Sequence, residues 1–249
     1  MTATPDLTDR IALVTGASRG IGYQIAKHMA AAGAHVIAVA RTVGGLEDLD
    51  DEIKAGGRGG ATLVPLDLAD MPAIDRLGGI INERWGKLDI LVANAGMLGV
   101  ISPVGHVEAK TFEKVMTINV VSQWRLFRSV DPLLKKSDAG RAIVLSSGAA
   151  HSARPFWGPY AASKAAIETL TRSWAGEVLE SPLRINAVDP GATRTAMRAL
   201  AMPGEDPSTL PDPATVARRI IALADPNLTH NGMIYQVKND AWVSHQAPA

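Results

Sequence analysis

Tyr160 and Lys164 stand four residues apart, in a segment that continues with alanine, isoleucine, glutamate and leucine. Such residues favour a helix, and positions i and i+4 of a helix share one face. A phenol and an ammonium group would therefore point into the same space. A free tyrosine titrates near pH ~10, and a nearby ammonium lowers that pKa because it favours the phenolate. The pair could exchange a proton with an alcohol or carbonyl oxygen, although the same spacing also occurs on ordinary helix surfaces.

A glycine-rich turn near the N-terminus has the setting of a dinucleotide-binding unit. The apolar run at residues 11–14 predicts a buried parallel strand. It leads into the turn at 15–22, a helix pattern, and a second apolar run at 36–40. Glycines in such a strand–turn–helix–strand unit let the backbone approach a pyrophosphate, whose charge the helix N-terminus attracts. The spacing is Gly-x-x-x-Gly-x-Gly, not the commoner Gly-x-Gly-x-x-Gly, and three glycines could also form a plain loop.

Strand and helix patterns alternate along the rest of the chain. Further strands are predicted at five apolar runs, residues 62–66, 88–93, 142–145, 184–188 and 233–237. Helices are predicted in the segment that carries Tyr160 and at residues 71–85, 214–224 and 111–136, the last with a kink or break at Pro132. This alternation predicts a three-layer α/β fold, a doubly wound parallel sheet of about seven strands covered by helices on both faces.

The chain contains no linker and no low-complexity block, so residues 1–249 are predicted to form one domain. Residues 192–213 differ from their surroundings because they are rich in proline. They follow the end of a predicted strand, which is where open α/β sheets bind ligands. A long insert there is often a substrate lid, and the alternative is an irregular surface loop.

The composition excludes several classes of protein. The 249 residues are 47% hydrophobic and 20% charged, a globular balance. The 25 lysines and arginines equal the 25 acids, so no nucleic-acid or membrane partner is expected. No cysteine is present, and the six histidines form no pair at metal-ligand spacing on one helix, so no metal is expected. Since the N-terminus lacks signal-peptide features and no apolar run approaches the ~18 residues that span a bilayer, a cytoplasmic protein is expected.

These motifs, in this order and at this spacing, resemble those of the short-chain dehydrogenase/reductase family over residues 15–237. The resemblance implies a Rossmann-fold, NAD(P)-dependent oxidoreductase whose catalytic residues are Asn119, Ser147, Tyr160 and Lys164. Ser147 lies thirteen residues before Tyr160, the family's interval. Without the resemblance, Ser147 could instead satisfy the backbone at a strand end, and Asn119 could bond within its own helix.

The resemblance also implies a set of cofactor contacts. They come from the glycine turn, the end of the second strand, the adenine-contacting aspartate, the turn after the fourth strand, the catalytic pair, and a segment that contacts the nicotinamide carboxamide. The predicted residues are Gly16, Ser18, Arg19, Gly20, Ile21, Gly22, Arg41, Thr42, Asp67, Leu68, Asn94, Ala95, Gly96, Tyr160, Lys164, Pro190, Gly191, Thr193 and Thr195.

The end of the second strand indicates which cofactor is preferred. NAD-specific members carry an acidic residue there to hold the ribose 2′-hydroxyl. Here the position is Ala40, followed by Arg41. Arg41 can offer a fork to a 2′-phosphate, and Arg19 adds a second positive charge. NADP(H) is therefore predicted to be favoured over NAD(H), the alternative being two solvated surface arginines.

In the implied mechanism a hydride moves between the nicotinamide C4 and a carbonyl carbon. Tyr160 is the acid in reduction and the base in oxidation. Lys164 lowers its pKa and holds the nicotinamide ribose. Ser147 hydrogen-bonds the substrate oxygen, and Asn119 holds a water that links Lys164 to solvent.

The substrate is expected to be a small-molecule carbonyl or secondary alcohol, bound with its oxygen toward Ser147. Apolar residues after strands four, five and six predict a wall for a medium-sized hydrophobic ketone or aldehyde. Its members are Met97, Leu98, Trp157 and Met197, with Val100, Ile101, Phe156, Leu200 and Met202. Three loop arginines, Arg154, Arg194 and Arg198, could instead turn inward and select a carboxylate or phosphate, but loop arginines are usually solvated.

Members of the family commonly pair through the helices that hold Asn119 and Tyr160, so a homodimer or homotetramer is expected. The predicted seam, which could equally be core facing the sheet, is Val121, Trp124, Leu126, Phe127, Val130, Ile167, Leu170 and Trp174. Residues 237–241 depart from the family's Val-Asp-Gly-Gly turn near subunit contacts.

Two other functions are compatible with the fold. A non-catalytic NAD(P)-binding regulatory or scaffold protein would usually have lost catalytic residues. A sugar-nucleotide epimerase or dehydratase would need a larger C-terminal substrate domain than the segment after Pro190 provides.

Overall fold

One sheet of eight strands runs through the computed structural model, which describes residues 4–244. In chain order the strands are β1 (Ile11–Thr15), β2 (His35–Ala40), β3 (Gly60–Pro65), β4 (Ile90–Ala93), β5 (Arg141–Leu145), β6 (Arg184–Asp189), β7 (Ile234–Gln236) and β8 (Ala241–Val243). Their spatial order is β3-β2-β1-β4-β5-β6-β7-β8. The first seven are parallel to their neighbours, and β8 is antiparallel to β7.

Helices cover both faces of this sheet. They are α1 (Gly20–Ala31), α2 (Val43–Gly56), α3 (Met71–Trp85), α4 (Ala109–Met116), α5 (Ser122–Leu134), α6 (Ala149–Ser152), α7 (Gly158–Gly176), α8 (Ala196–Ala201) and α9 (Pro213–Ile221). Helices α1, α2 and α9 pack on one face, and α3, α5 and α7 on the other. Alternate strand residues face the two cores, since Val14 belongs to the first and Leu13 to the second. The predicted doubly wound, three-layer α/β fold is confirmed.

The segment predicted as one helix at 111–136 is interrupted in a different place. Helix α4 ends at Met116, a π-helical turn follows at Thr117–Val121, and α5 begins at Ser122. Pro132 does not break α5, which continues through it to Leu134. The π turn carries Asn119 instead, and such turns are frequent at functional sites.

Helix α3 spans Met71–Trp85 as predicted, without being loosened at its two glycines. A Cβ on Gly78 would overlap the Ser129 side chain of α5. The glycine therefore allows α3 and α5 to pack closely.

The C-terminal end of the sheet was incompletely predicted. The last predicted strand is β7, and sequence patterns missed β8 because its three residues are too few to show an alternation. Residues 237–240 form the turn between the two strands. Asp240 has a φ of 51°, and the Tyr235 hydroxyl donates to Asp240 Oδ1 at 2.6 Å. The departure from the family's turn is thus a hairpin that adds an edge strand.

The predicted seam between subunits is wrong for most of its members. Five of them lie in the core under the sheet: Leu126, Phe127, Val130, Ile167 and Trp174. The rings of Phe127 and Trp174 stack with centroids 4.8 Å apart, which ties α5 to α7 inside the molecule. Only Val121 and Trp124 are exposed, 43% and 44%.

No helix within residues 4–244 is both long and apolar enough to cross a membrane. In the same part of the chain, no group of three histidines and acids is arranged to hold a metal ion. His245 lies outside the described residues.

Strands β1 and β4 are neighbours, so the strand order reverses between them, and ligands of open α/β sheets bind beyond the carboxyl ends of strands at such a point.

Candidate active site

Three elements bring the four predicted catalytic residues to the carboxyl edge of the sheet. Helix α7 carries Tyr160 and Lys164, Ser147 follows β5, and the π turn carries Asn119. Ser147 and Tyr160 line one cavity. A Cβ on Gly96 would lie 3.4 Å from Asn119 Oδ1 and 3.7 Å from Lys164 Nζ, so these two groups flank the same glycine.

The Tyr160 phenol is buried, and burial is the main influence on its pKa. It raises the pKa above the usual 10.0, an interaction with the Ser147 hydroxyl lowers it, and the negative charge of Asp189 raises it. Lys164 Nζ lies 5.8 Å from the centre of the tyrosine ring. The lowering of the Tyr160 pKa that was expected from Lys164 therefore does not outweigh the rise caused by burial. Tyr160 carries its proton at neutral pH.

Lys164 is buried, and its Nζ donates to the Leu145 carbonyl at 2.6 Å. Burial lowers its pKa to about 8, against the opposing charge of Glu168. Glu168 lies one turn further along α7 and is itself buried. It accepts a hydrogen bond from Ser146, and its Oε2 lies 2.8 Å from His151 Nε2. Sequence reasoning missed Glu168, although its i+4 spacing from Lys164 was a signal.

The Asn119 side chain does not bond within its own helix. Its amide nitrogen donates to the Met97 carbonyl and to Ser163 Oγ, both at 2.9 Å, and its oxygen accepts from Met97 N at 2.8 Å. Asn119 therefore fixes the loop after β4 to α7. Ser147 combines both roles considered for it, since its hydroxyl accepts from Ala149 N at 3.2 Å and also reaches Tyr160.

The glycine turn fits a pyrophosphate. A Cβ on Gly22 would overlap the Gly16 carbonyl and the Asn94 amide, so only glycine is compatible with this packing. The Asn94 side chain is itself held by the Thr15 carbonyl at 2.8 Å. At the N-terminus of α1, the Arg19 side chain makes no capping bond and the first turn has no acidic residue. The N–H groups of this turn and the helix dipole can therefore serve an anion.

The predicted nicotinamide segment and the catalytic residues share one cavity. Ile21, Pro190, Gly191, Thr193 and Thr195 line it together with Ser147 and Tyr160. At the adenine end, Arg41 and Thr42 are exposed just beyond β2, Asp67 is exposed, and Leu68 is buried. None of the ion pairs within residues 4–244 includes Arg19 or Arg41.

The shared cavity has a volume of about 390 Å³ and only part of the predicted apolar wall. Leu98, Trp157 and Met197 line it as expected, with Ala201. Met97 is not among the lining residues within 4–244. Phe156 and Leu200 are 53% and 76% exposed, so they lie at the surface.

Two of the three loop arginines line the cavity: Arg154, which is exposed as expected for a loop arginine, and Arg198, which is partly buried. The Arg154 guanidinium lies over the Trp157 ring, 5.4 Å from its centre. Arg198 makes a bidentate ion pair with Glu205 at 2.6 Å. These partners set the positions of the two guanidinium groups at the cavity, and no spacing rule reveals such partners. The third, Arg194, pairs instead with Asp212 at 2.7 Å.

The segment 192–213 is structured and is not an irregular loop. It contains α8 and a short 3₁₀ turn at Pro207–Thr209. The Arg198–Glu205 and Arg194–Asp212 pairs tie it to itself and to the start of α9. Through Thr193, Met197 and Arg198 it forms one wall of the cavity.

Comparison with known proteins gives a consistent result. Residues 10–206 match the model of the short chain dehydrogenase family. The uncharacterised oxidoreductase YciK of Escherichia coli is 36% identical over 235 residues, 93% of each chain. A short-chain dehydrogenase of Shigella flexneri, solved with NADP, has a TM-score of 0.88 and 36% identity over 95% of this chain and 100% of that one. Another from Escherichia coli, solved with NADPH, has a TM-score of 0.89 and 36% identity over 95% and 99%.

The non-catalytic and epimerase alternatives are not favoured by these similarities, or by the site, where all four predicted catalytic residues are present. Sequence, fold and relatives agree: this chain belongs to the short-chain dehydrogenase/reductase family of oxidoreductases.

Proposed function

We propose that this enzyme transfers a hydride between NADP(H) and a medium-sized carbonyl compound or secondary alcohol, with Tyr160 exchanging the proton. The observation that carries the proposal is the shared cavity, which Ser147 and Tyr160 line together with Ile21, Pro190 and Thr195. A bound nicotinamide and a substrate carbonyl would meet there. The cofactors in the two similar structures support the same assignment.

Each catalytic residue has one task in this scheme. The cofactor, when bound, supplies or accepts the hydride. Ser147 donates a hydrogen bond to the substrate oxygen as charge develops on it. Tyr160 gives its proton to that oxygen in reduction and takes it back in oxidation. Lys164 holds the nicotinamide ribose and keeps a positive charge beside the phenol.

Asn119 helps to return a proton from solvent to Tyr160. Its carbonyl oxygen accepts one hydrogen bond, from Met97 N, and an amide oxygen has two lone pairs. The second lone pair is available for a water beside Gly96, where Lys164 Nζ also lies. Such a water would link Lys164 to solvent.

The cofactor preference rests on the end of β2. No carboxylate stands at Ala40 to repel a phosphate, and Arg41 is exposed directly after it. Arg19 is exposed at the start of α1. The two guanidinium groups can bind a 2′-phosphate, which favours NADP(H).

Fluorescence titration with NADPH and NADH tests this preference. Arg41→Ala should weaken NADPH binding by about tenfold, the equivalent of one charge-assisted contact, and leave NADH binding unchanged. Arg58→Ala, which removes an exposed arginine paired with Asp6, is the matched control. Equal affinity for the two cofactors in the wild type, or tighter NADH, would contradict the preference.

The substrate body is expected to be apolar and uncharged. Leu98, Trp157, Met197 and Ala201 form its wall, and Glu205 neutralises Arg198. A screen of carbonyls and alcohols, followed by nicotinamide absorbance, identifies active compounds. An uncharged aromatic ketone and a carboxylate-bearing analogue of similar size are then compared by kcat/KM. A preference for the acid of about tenfold, roughly 1.4 kcal/mol at the transition state, would show that Arg154 selects an anion.

The expected assembly is a homodimer or homotetramer. Because most of the predicted seam residues lie in the core, a smaller apolar surface is left for subunit contact. It consists of one residue each from α4, the π turn and α5. Phe112, Val121 and Trp124 are 43%, 43% and 44% exposed. Exposed aromatic side chains are enriched at subunit interfaces.

A further inference from the structure

Asp189 is the one acidic residue among the cavity-lining side chains within residues 4–244. It ends β6, directly before the Pro190-Gly191 turn. Its Oδ1 accepts from Gly191 N at 3.0 Å, and its backbone carbonyl accepts from Val237 N at 3.0 Å. The position of the carboxylate is therefore fixed by the backbone.

The second carboxylate oxygen lies beside the residue after Ser147. A Cβ on Gly148 would stand 3.1 Å from Asp189 Oδ2, a tight contact, so the absence of a side chain at 148 leaves room for the carboxylate. None of the ion pairs within residues 4–244 includes Asp189. A fixed negative charge is thus held at the catalytic cavity without a contacting cation.

Other charged groups near the cavity are already engaged or lie further out. Lys164 donates to the Leu145 carbonyl, and Glu168 stands behind it on α7. Arg198 is paired with Glu205, and Arg154 lies over Trp157. Lys238 lies next to Gly191: a Cβ placed on Gly191 would be 3.7 Å from the Lys238 Cβ.

We propose that Asp189 biases this site toward carbonyl reduction, because its carboxylate stabilises the positive charge of the oxidised nicotinamide. The inference rests on the proposed NADP(H)-dependent hydride transfer. In the reduction, the carbonyl carbon receives a hydride, which is a proton with two electrons. The carbonyl oxygen receives the proton of Tyr160. This leaves a positive charge at the nicotinamide and a phenolate at Tyr160, which solvent reprotonates through Lys164.

A negative charge near the ring lowers the free energy of the oxidised cofactor relative to the reduced one. Bound NADPH is then a stronger hydride donor. The same charge favours the protonated form of Tyr160, whereas oxidation of an alcohol needs the phenolate. The first effect favours hydride transfer from NADPH, and the second keeps Tyr160 in the protonated form from which carbonyl reduction starts.

Cofactor binding without substrate tests the proposal directly. Asp189→Asn removes the charge but keeps the shape of the side chain and an acceptor for Gly191 N. The dissociation constants of NADP⁺ and NADPH are measured by calorimetry or fluorescence at one pH. In the variant, the dissociation constant of NADP⁺ should rise by about threefold or more relative to that of NADPH, as expected for the loss of one partly screened charge. Glu83→Gln, an exposed acid of α3, is the matched control and should leave the ratio unchanged.

An unchanged ratio of the two dissociation constants in Asp189→Asn would overturn the proposal. Asp189→Ser, which keeps a hydroxyl acceptor, gives the same test if the first variant does not fold. Failure of the wild type to bind either cofactor would instead defeat the proposed function, so the two failures are distinguishable.

The pH profile gives a second readout. With the carboxylate removed, the Tyr160 pKa falls, so the pH at which alcohol oxidation becomes active should move lower in Asp189→Asn. The ratio of oxidation to reduction at neutral pH should rise accordingly. A variant with an unmoved profile and an unmoved ratio would mean that Asp189 only anchors the Gly191 turn.

Discussion

At the level of single residues, burial shifts the pKa values of Tyr160 and Lys164 in opposite directions, because it disfavours the charged form of each. Burial keeps Tyr160 protonated and, at the same time, weakens the hold of Lys164 on its own proton. The cavity therefore presents a neutral acid beside a lysine that titrates near physiological pH. A protonated Tyr160 suits the donation of a proton to a carbonyl oxygen.

Tyr160→Phe should reduce turnover by roughly 10²–10⁴-fold, the usual contribution of a positioned acid. The dissociation constant for NADPH should stay within about threefold of the wild type, because the ring still packs against Trp157. Steady-state rates and a cofactor titration check both parts. Retention of more than about a tenth of the wild-type turnover would exclude Tyr160 as the proton donor.

The rate of reduction should fall as the pH rises above about 8, where Lys164 loses its proton. A profile of kcat/KM against pH reports this pKa for the free enzyme. The contribution of Lys164 to stability changes in the other direction, because its folded pKa lies below its usual 10.5. Between about 8 and 10.5 the unfolded chain binds the extra proton, so this contribution rises with pH. A rate that stays constant to pH 10 would contradict the prediction.

At the level of elements, α7 carries two charged groups inward from one face. Lys164 points to the catalytic side and Glu168, one turn on, to Ser146 and His151. The carboxylate contacts the residue after β5 and a residue of α6, and its charge acts on Lys164. We therefore expect Glu168 to be a positioning residue that acts through Lys164 and Ser146.

Glu168→Gln should move the alkaline limb of the reduction profile below its wild-type position, since the charge that raises the Lys164 pKa is lost. The amide can still accept from Ser146, so the fold should be kept. Glu177→Gln, an exposed acid at the end of the same helix, should leave the profile unmoved. If the limb stays in place and only the melting temperature falls, Glu168 has a structural role alone.

At the level of the whole molecule, the two halves of the sheet meet at the site. The half built on β1 to β3 supplies the glycine turn, and the half built on β4 to β7 supplies the catalytic residues and the segment 192–213. The apolar surface of Phe112, Val121 and Trp124 lies on the second half, on α4 and α5 and the π turn between them.

Light scattering at micromolar concentration should give a particle of at least twice 26.2 kDa. Trp124→Glu should shift the distribution toward the single chain, because a charge at the centre of an apolar contact is costly to bury. Arg76→Glu, which changes an exposed residue of α3, is the control. A wild-type particle of 26.2 kDa would rule out the oligomer.

The amino-acid sequence was enough to predict the order of strands and helices along the chain and to propose the catalytic residues. Apolar runs and glycine turns are local signals in the sequence. The intervals between Ser147, Tyr160 and Lys164 are part of the family's motif and can be read directly from the sequence. For this reason the doubly wound sheet was predictable, and so was the assembly of Asn119 with Ser147, Tyr160 and Lys164.

The side chains that share the cavity, and the charges they carry there, could be identified only from the folded structure. The position of the Arg154 guanidinium depends on Trp157, that of Arg198 depends on Glu205, and the room for Asp189 depends on the missing side chain of Gly148. The π turn at Asn119 and the core position of Trp174 depend likewise on packing between helices. Burial and contacts between residues distant in the chain are set by the packed fold, and periodicity along the sequence records only which residues are apolar.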